Sequence, residues 1–136
     1  MISTRGRYAL RVLIDLAENQ GDGYIPMKDV AARQGISLKY LEQIMPALKK
    51  NNIVKGVHGK GGGYRLAAEP CEINVGEVLK LTEGSLAPVA CLAEGATKCD
   101  RARTCNTLDF WKGLNDVIDD YLSSKTLADL TSKASE

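Results

Sequence analysis

Apolar residues recur along this chain with a helical period, and only one stretch breaks into the shorter rhythm of strands. Ala9, Val12, Leu13, Leu16 and Ala17 follow the i, i+3, i+4, i+7 spacing of one buried helix face. Gly21, Asp22 and Gly23 end that helix, and Ile25-Pro26 opens a shorter one whose buried side is predicted to be Val30, Ala31 and Ala32. Met27 stands where a capping Ser or Thr is expected. Gly35 supplies a left-handed stop and Ser37 a cap for a third helix, which buries Leu41, Ile44, Met45 and Leu48. Pro46 falls inside it and removes one backbone donor, so a bend is expected there. Ile53-Val54 and Tyr64-Arg65-Leu66 then read as two short strands around the glycine-rich GVHGKGGG.

Beyond Pro70, Asn74 and Glu77 are spaced as a capping box ahead of a helix that buries Val78, Leu79 and Leu81 and stops at Gly84. Residues 85–105 form a loop longer than compact domains leave idle. From Asn106 to Ser123 the helical period returns, with Leu108, Trp111, Leu114, Ile118, Tyr121 and Leu122 on one broad face of a helix about 27 Å long. Few elements remain for that face to cover, which assigns it to a dimer interface, with packing within one subunit as the alternative. Thr126 caps a last turn, and TSKASE reads as a tail. The fold class expected is mainly α with a small β-hairpin. Residues 1–84 form a winged helix-turn-helix, 85–105 a cysteine-bearing loop, 106–124 a dimerisation helix and 125–136 a terminal turn and tail.

The polar positions add what the core does not need. The third helix carries Lys39, Tyr40, Glu42, Gln43, Lys49 and Lys50 on its other faces, and the hairpin tip carries His58, Gly59 and Lys60. Two short helices joined by a Gly-containing turn are the helix-turn-helix signal, and a hairpin after it is a wing. The tip is not a nucleotide loop, because neither the Walker order nor a third glycine after Gly59 and Gly61 is present. Charge agrees with a polyanion partner. Residues 1–70 hold 11 Lys and Arg against 6 Asp and Glu, a net +5, while residues 71–136 are at −4. His58 is the one histidine and no nucleophile–base pair is discernible, so an enzyme is not expected. No apolar run is long enough to span a membrane, and the charges Arg5, Arg7, Arg11 and Asp15 break any signal-peptide core; a cytoplasmic protein is expected. In a reducing compartment Cys71, Cys91, Cys99 and Cys105 suit metal or redox chemistry better than a disulfide frame.

GRYALRVLIDLA, then GISLKYLEQIMPALKKNNIVKGVHGKGGGYRLA, then the three cysteines 91, 99 and 105 followed by Trp111, resemble the Rrf2 family of bacterial winged-helix regulators. The resemblance covers nearly all of residues 1–130. It implies a homodimer that binds a palindromic double-stranded DNA operator, usually as a repressor, with the recognition helix in the major groove and the wing in the adjacent minor groove. On that reading Lys39, Lys49 and Lys60 set position on phosphates. Ser37, Tyr40, Glu42 and Gln43 lie near the end of the helix that meets base edges, where Gln43 can pair with adenine and Glu42 can accept from cytosine.

Three thiols spaced by seven and five residues in a polar loop are poorly explained as core. Structural zinc prefers tighter pairs, whereas iron–sulfur clusters tolerate wide spacing. Sensor members of the family carry three cysteines at this place, which implies a cluster, 2Fe–2S above others, held by Cys91, Cys99 and Cys105 and reporting cluster supply, redox state or nitric oxide. Such a cluster can be absent from protein prepared in air. Zinc and oxidant-sensing free thiols stay open, as does a cluster-free regulator of sulfur metabolism controlled by a protein partner or by thiol oxidation. The fourth ligand does not carry over. Leu108 stands at the family's ligating His, and Arg7 and Tyr8 stand where another branch supplies an acid. Asp109, Asp100, Asn106, Cys71 and a small exogenous ligand remain.

One wing position also departs from the family's cluster-binding branch, which places an always-charged Arg where this chain has His58. A narrow minor groove attracts cations, and histidine changes charge between pH 5 and 8. Operator affinity at fixed salt is therefore expected to rise as pH falls toward about 6 in the wild type and to lose that dependence in His58→Arg. Identical pH responses would remove His58 as the wing's variable charge.

Overall fold

A computed structural model describes residues 2–93 and 104–131 of the chain. In order these form α1 (Thr4–Asn19), α2 (Met27–Gln34), α3 (Leu38–Lys50), β1 (Val54–Val57), β2 (Gly63–Leu66), α4 (Val75–Glu83), α5 (Leu108–Ser123) and α6 (Leu127–Leu130), with 3-10 turns at Pro70–Glu72 and Ala90–Leu92. The result is the expected winged helix-turn-helix followed by a long helix. Cys99, Asp100 and residues 132–136 lie outside the described residues.

Helix α1 is the axis of the molecule and packs against α2, α3, α4, α6 and β2. Its Ala9, Val12, Leu13 and Leu16 are fully buried, as the periodicity requires, against Val30, Leu41, Met45, Leu48 and Val78. Full burial of each of the larger side chains, Val12, Leu13 and Leu16, contributes about 1.5–3 kcal/mol. Helix α2 differs in detail from its sequence pattern. Its inward residues are Met27 and Val30 with Ala31 half-buried, while Ala32 is exposed; Pro26 occupies the cap position and Met27 has turned into the core. Helix α3 runs unbroken through Pro46, which faces outward. It ends through Asn51 and Asn52, the latter in the left-handed region at φ 60°, and hands the chain directly to β1.

The hairpin pairs Val54 with Leu66, Lys55 with Arg65, Gly56 with Tyr64 and Val57 with Gly63. Its base is held by a further bridge that periodicity does not reveal. Ile25 and Tyr64 exchange backbone hydrogen bonds of 2.8 and 2.9 Å, joining the α1–α2 connection to β2. Gly63 is required at this junction. Its φ is 146°, and a Cβ there would stand 2.2 Å from the Ile25 carbonyl oxygen.

The C-terminal part returns to the core. Val75 N donates to Lys125 O at 3.0 Å, Leu127 N to Ile73 O at 3.0 Å, and the Asn74 amide to Ser123 O at 2.8 Å. Leu127 is fully buried in the main core, so the last short turn closes the domain from below. A second small cluster, Val75, Leu79 and Leu86, takes Leu10 from α1 and Leu122 from α5.

Two polar contacts fix α1 at its ends. Asp15, 2% exposed, receives Arg33 Nε at 3.2 and 3.0 Å on its two oxygens, Arg33 Nη2 at 2.7 Å and Gln34 Nε2 at 2.9 Å. Arg11 binds Gln34 in turn, through its side-chain oxygen and its backbone carbonyl. The hydrogen bonds to Asp15, more than offsetting the effect of burial, hold the Arg33 guanidinium above its ordinary value. At the other end the Glu83 carboxylate accepts Ser3 N at 3.0 Å, Ser3 Oγ at 2.7 Å and Gly6 N at 3.0 Å, serving the free donors of α1 from the last residue of α4. Gly6 allows this approach, since a Cβ there would lie 2.5 Å from Glu83 Oε1. Burial raises the Glu83 carboxyl, but the hydrogen bonds from Ser3 and Gly6 outweigh it and place it below its ordinary value.

Removing the cation from the α1–α2 clamp leaves a buried carboxylate. Arg33→Met is expected to cost about 2 kcal/mol in urea unfolding, less than for a fully buried pair because the guanidinium is partly solvated. Adding Asp15→Asn to that variant should recover part of the loss. Glu83 makes a pH-dependent contribution whose sign follows from its lowered value. It is fully present above about pH 4.3, the ordinary glutamate range, and is lost as pH falls through the depressed folded value. Glu83→Gln should therefore be less stable than wild type at neutral pH and converge on it in acid; parallel stability curves would contradict this.

Candidate nucleic-acid interface

The start of α3 is built locally. Gly35 takes the left-handed conformation at φ 65° and closes α2, and the extended Ser37 accepts the Tyr40 amide on its Oγ at 3.1 Å. The cap holds the first turn of α3 outward with Lys39, Glu42, Gln43 and, further on, Lys49 exposed. Tyr40 is different. Its ring is half-buried and meets Tyr8 of α1 edge-on, 5.5 Å between centroids, and the Arg11 guanidinium covers Tyr8 at 5.3 Å. The tyrosine thus ties α3 to α1 as well as lying near the candidate reading end.

The wing tip presents His58, Gly59 and Lys60 to solvent, with the turn closed by Gly62 N donating to Gly59 O at 2.9 Å. Between tip and helix runs a groove of about 520 Å³, lined by Glu42 and Leu38 on α3, His58 and Val57 on the wing, and Lys28 at the start of α2. The structure therefore brings Glu42 and His58, distant in sequence, to two walls of one groove. Lys28, Leu38 and Val57 were not legible as part of this surface. Leu38 and Val57 are 40% and 46% exposed, against the expectation for apolar residues in regular elements. The signal available for Leu38 was its i, i+4 relation to Glu42. Lys55 and Arg65 stand opposite each other across the hairpin, and Arg65 is engaged by the Asp22 carbonyl at 3.1 Å and by the Tyr24 ring.

The cysteines frame the segment that leads into α5. Cys91 is exposed on the Ala90–Leu92 turn, and Cys105 is half-buried with its Sγ 3.4 Å from Thr107 Oγ1. Cys71 is exposed and removed from them in sequence beside Pro70. Among the described residues no three His, Cys, Asp or Glu side chains are grouped to hold a metal ion, and Cys99 is outside those residues. The chemistry of the two described thiols fits a thiolate-bound cluster. Cys91 and Cys105 present soft sulfur atoms at the two borders of the segment, and Asp109 lies exposed in the first turn of α5. Leu108 offers no donor.

Helix α5 buries none of its residues. Leu108, Trp111, Ile118 and Leu122 are half-buried, Leu122 against the chain's own Val75–Leu79–Leu86 cluster. A neighbouring stripe faces outward: Phe110, Leu114, Val117 and Tyr121 are 65%, 36%, 64% and 63% exposed at i, i+4, i+7, i+11. Phe110 and Val117 were missed because the two stripes overlap in sequence and merge into one broad apolar face. No helix among the described residues is long and apolar enough to cross a membrane.

Comparison with known proteins bears on the whole chain. The family model "Rrf2: Iron-dependent Transcriptional regulator" matches residues 2–133. Curated relatives include the HTH-type transcriptional regulators IscR of Cronobacter sakazakii and Pectobacterium atrosepticum, 38% and 39% identical over 129 residues, covering 95% of this chain and 78% and 77% of theirs. Among solved structures, CymR, the global cysteine regulator of B. subtilis, superposes with a TM-score of 0.78 at 35% identity over 98% of this chain and 97% of that one. The T. potens IscR does so with 0.77 at 37% identity over 100% and 88%.

Proposed function

Because this chain belongs to the Rrf2 family of transcriptional regulators, we propose that it is a cytoplasmic, sequence-specific repressor that works as a homodimer and whose operator affinity follows the state of an iron–sulfur cluster. The observation that carries the DNA-binding part is the groove between α3 and the wing tip, where Glu42 and His58 face a common space beside the exposed Lys39 and Lys60. A helix end and a wing so placed can straddle one phosphate backbone, with lysines neutralising phosphates and Glu42 and Gln43 addressing base edges. Glu42 acts by exclusion as much as attraction. A carboxylate near phosphates is repelled unless a cytosine amino group satisfies it, so it penalises other sites.

Dimerisation is supported by the outward stripe of α5. Four large side chains on one helical line are more than a monomer leaves in water without use. A two-fold partner stacked there would present two α3 helices to the half-sites of a palindrome.

Cys91, Cys99 and Cys105 are the residues that would hold the cluster, which would supply a response to oxidants or nitric oxide. The chain's own part is positional. The cysteine segment begins directly after Gly84, the cap of α4, and the preceding residue Glu83 holds the start of α1. Helix α1 in turn touches α3 through Tyr8 and Tyr40. A change at the described entrance to that segment, beside Glu83 and Gly84, can therefore bias α3 through packed elements. The cluster-free reading is favoured by Leu108 in place of a ligating side chain and by the likeness to CymR.

Protein purified without air separates the two. It should contain iron and sulfide and absorb visible light, Cys99→Ala should lose both, and cluster removal should change operator affinity. Metal-free anaerobic protein that binds its operator with wild-type affinity would establish the cluster-free reading instead.

A further inference from the structure

Leu38 is the first residue of α3 and remains 40% exposed at the end of the helix proposed to meet base edges. It is not isolated. Leu38, Glu42 and Pro46 follow one another at i, i+4 and i+8, and all three line the groove facing the wing. The polar residues Lys39 and Gln43 form the adjacent stripe. Helix α3 thus enters its ligand with an apolar and an acidic side chain on the wing side. Lys28 stands on the same groove as a cation available to the backbone of a bound duplex.

On the major-groove edges of base pairs the apolar feature is the C5-methyl group of thymine. Hydrogen-bonding edges offer an aliphatic side chain only desolvation. We propose that Leu38 is a specificity residue that reads a thymine methyl close to the cytosine addressed by Glu42. Four helical residues advance roughly 6 Å along the axis, and base pairs stack about 3.4 Å apart. The thymine therefore lies within two base-pair steps of that cytosine. The proposal rests on the reading of α3 as the recognition helix and gives it a second, non-polar letter.

The experiment uses the full chain and operators enriched from random duplexes. Each thymine of an enriched operator is replaced in turn by uracil, which removes the methyl group and keeps every hydrogen-bonding edge. At one thymine per half-site the replacement should weaken wild-type binding about fourfold, the worth of one buried methyl. Leu38→Ala should bind the thymine duplex weakly by a similar factor and be indifferent to uracil there. Alanine suits a first helical turn, and Leu38→Met, which keeps apolar reach, should retain the dependence on the methyl group and so guard against a fold effect. In Glu42→Ala the cytosine preference should fall while the uracil effect remains. If every thymine-to-uracil change acts equally on wild type and Leu38→Ala, Leu38 does not read a methyl, even though α3 can still be the recognition helix. If no sequence is enriched at all, the recognition-helix reading falls and this inference falls with it.

Discussion

The carboxylate of Asp15 holds the first two helices, and the turn that leads into α3, in one shape. It lies inside the apolar stripe of α1, 2% exposed, where an uncompensated charge would cost several kcal/mol. Three side chains answer it or its partners: Arg33 in a forked pair, Gln34 through its amide, and Arg11 through Gln34. The forked geometry fixes direction as well as distance. Since α2 cannot slide along α1 without breaking it, the turn at Gly35 and the first residues of α3 inherit a defined position. Apolar packing alone would tolerate more sliding, because Val30 and Ala31 are small and make an undemanding contact.

The remaining contacts distribute the control of α3 between two sources. One is local, the Ser37 cap and the αL turn. The other comes from α1, through the edge-on pair of Tyr8 and Tyr40. Helix α1 is itself held at its start by Glu83, so α3, the central helix and the entrance to the cysteine segment are joined by short polar or aromatic contacts. The acidic second half of the chain leaves the positive field to the first half, where a polyanion would be met.

Features written by one or two neighbouring residues were legible in the sequence. Gly35, Ser37, Asn74 and Gly84 stand at the helix ends where their chemistry puts them, and the heptad-like stripes of α1 and α3 matched their buried faces. Contacts between distant residues were not. Asp15 registered only as a charge interrupting an apolar run, because its partner is 18 residues away in another element. The Ile25–Tyr64 bridge uses backbone atoms that every residue has, so it leaves no side-chain signature. Leu127 appeared to belong to a peripheral turn until the returning chain put it in the core. At the candidate interface, the polar residues of α3 could be named from their type. The apolar Leu38 could not, since exposure depends on what packs nearby.

The junction at Gly63 divides the hairpin into two regimes of mutational freedom. At its base the Ile25 carbonyl occupies the place a side chain would need, and only glycine is compatible. A few residues further out, His58 and Lys60 are exposed at the tip. Drift among descendants of such a chain would then be invisible to folding at the tip and lethal at the base. A lineage can exchange one tip side chain for another without first having to survive a loss of stability.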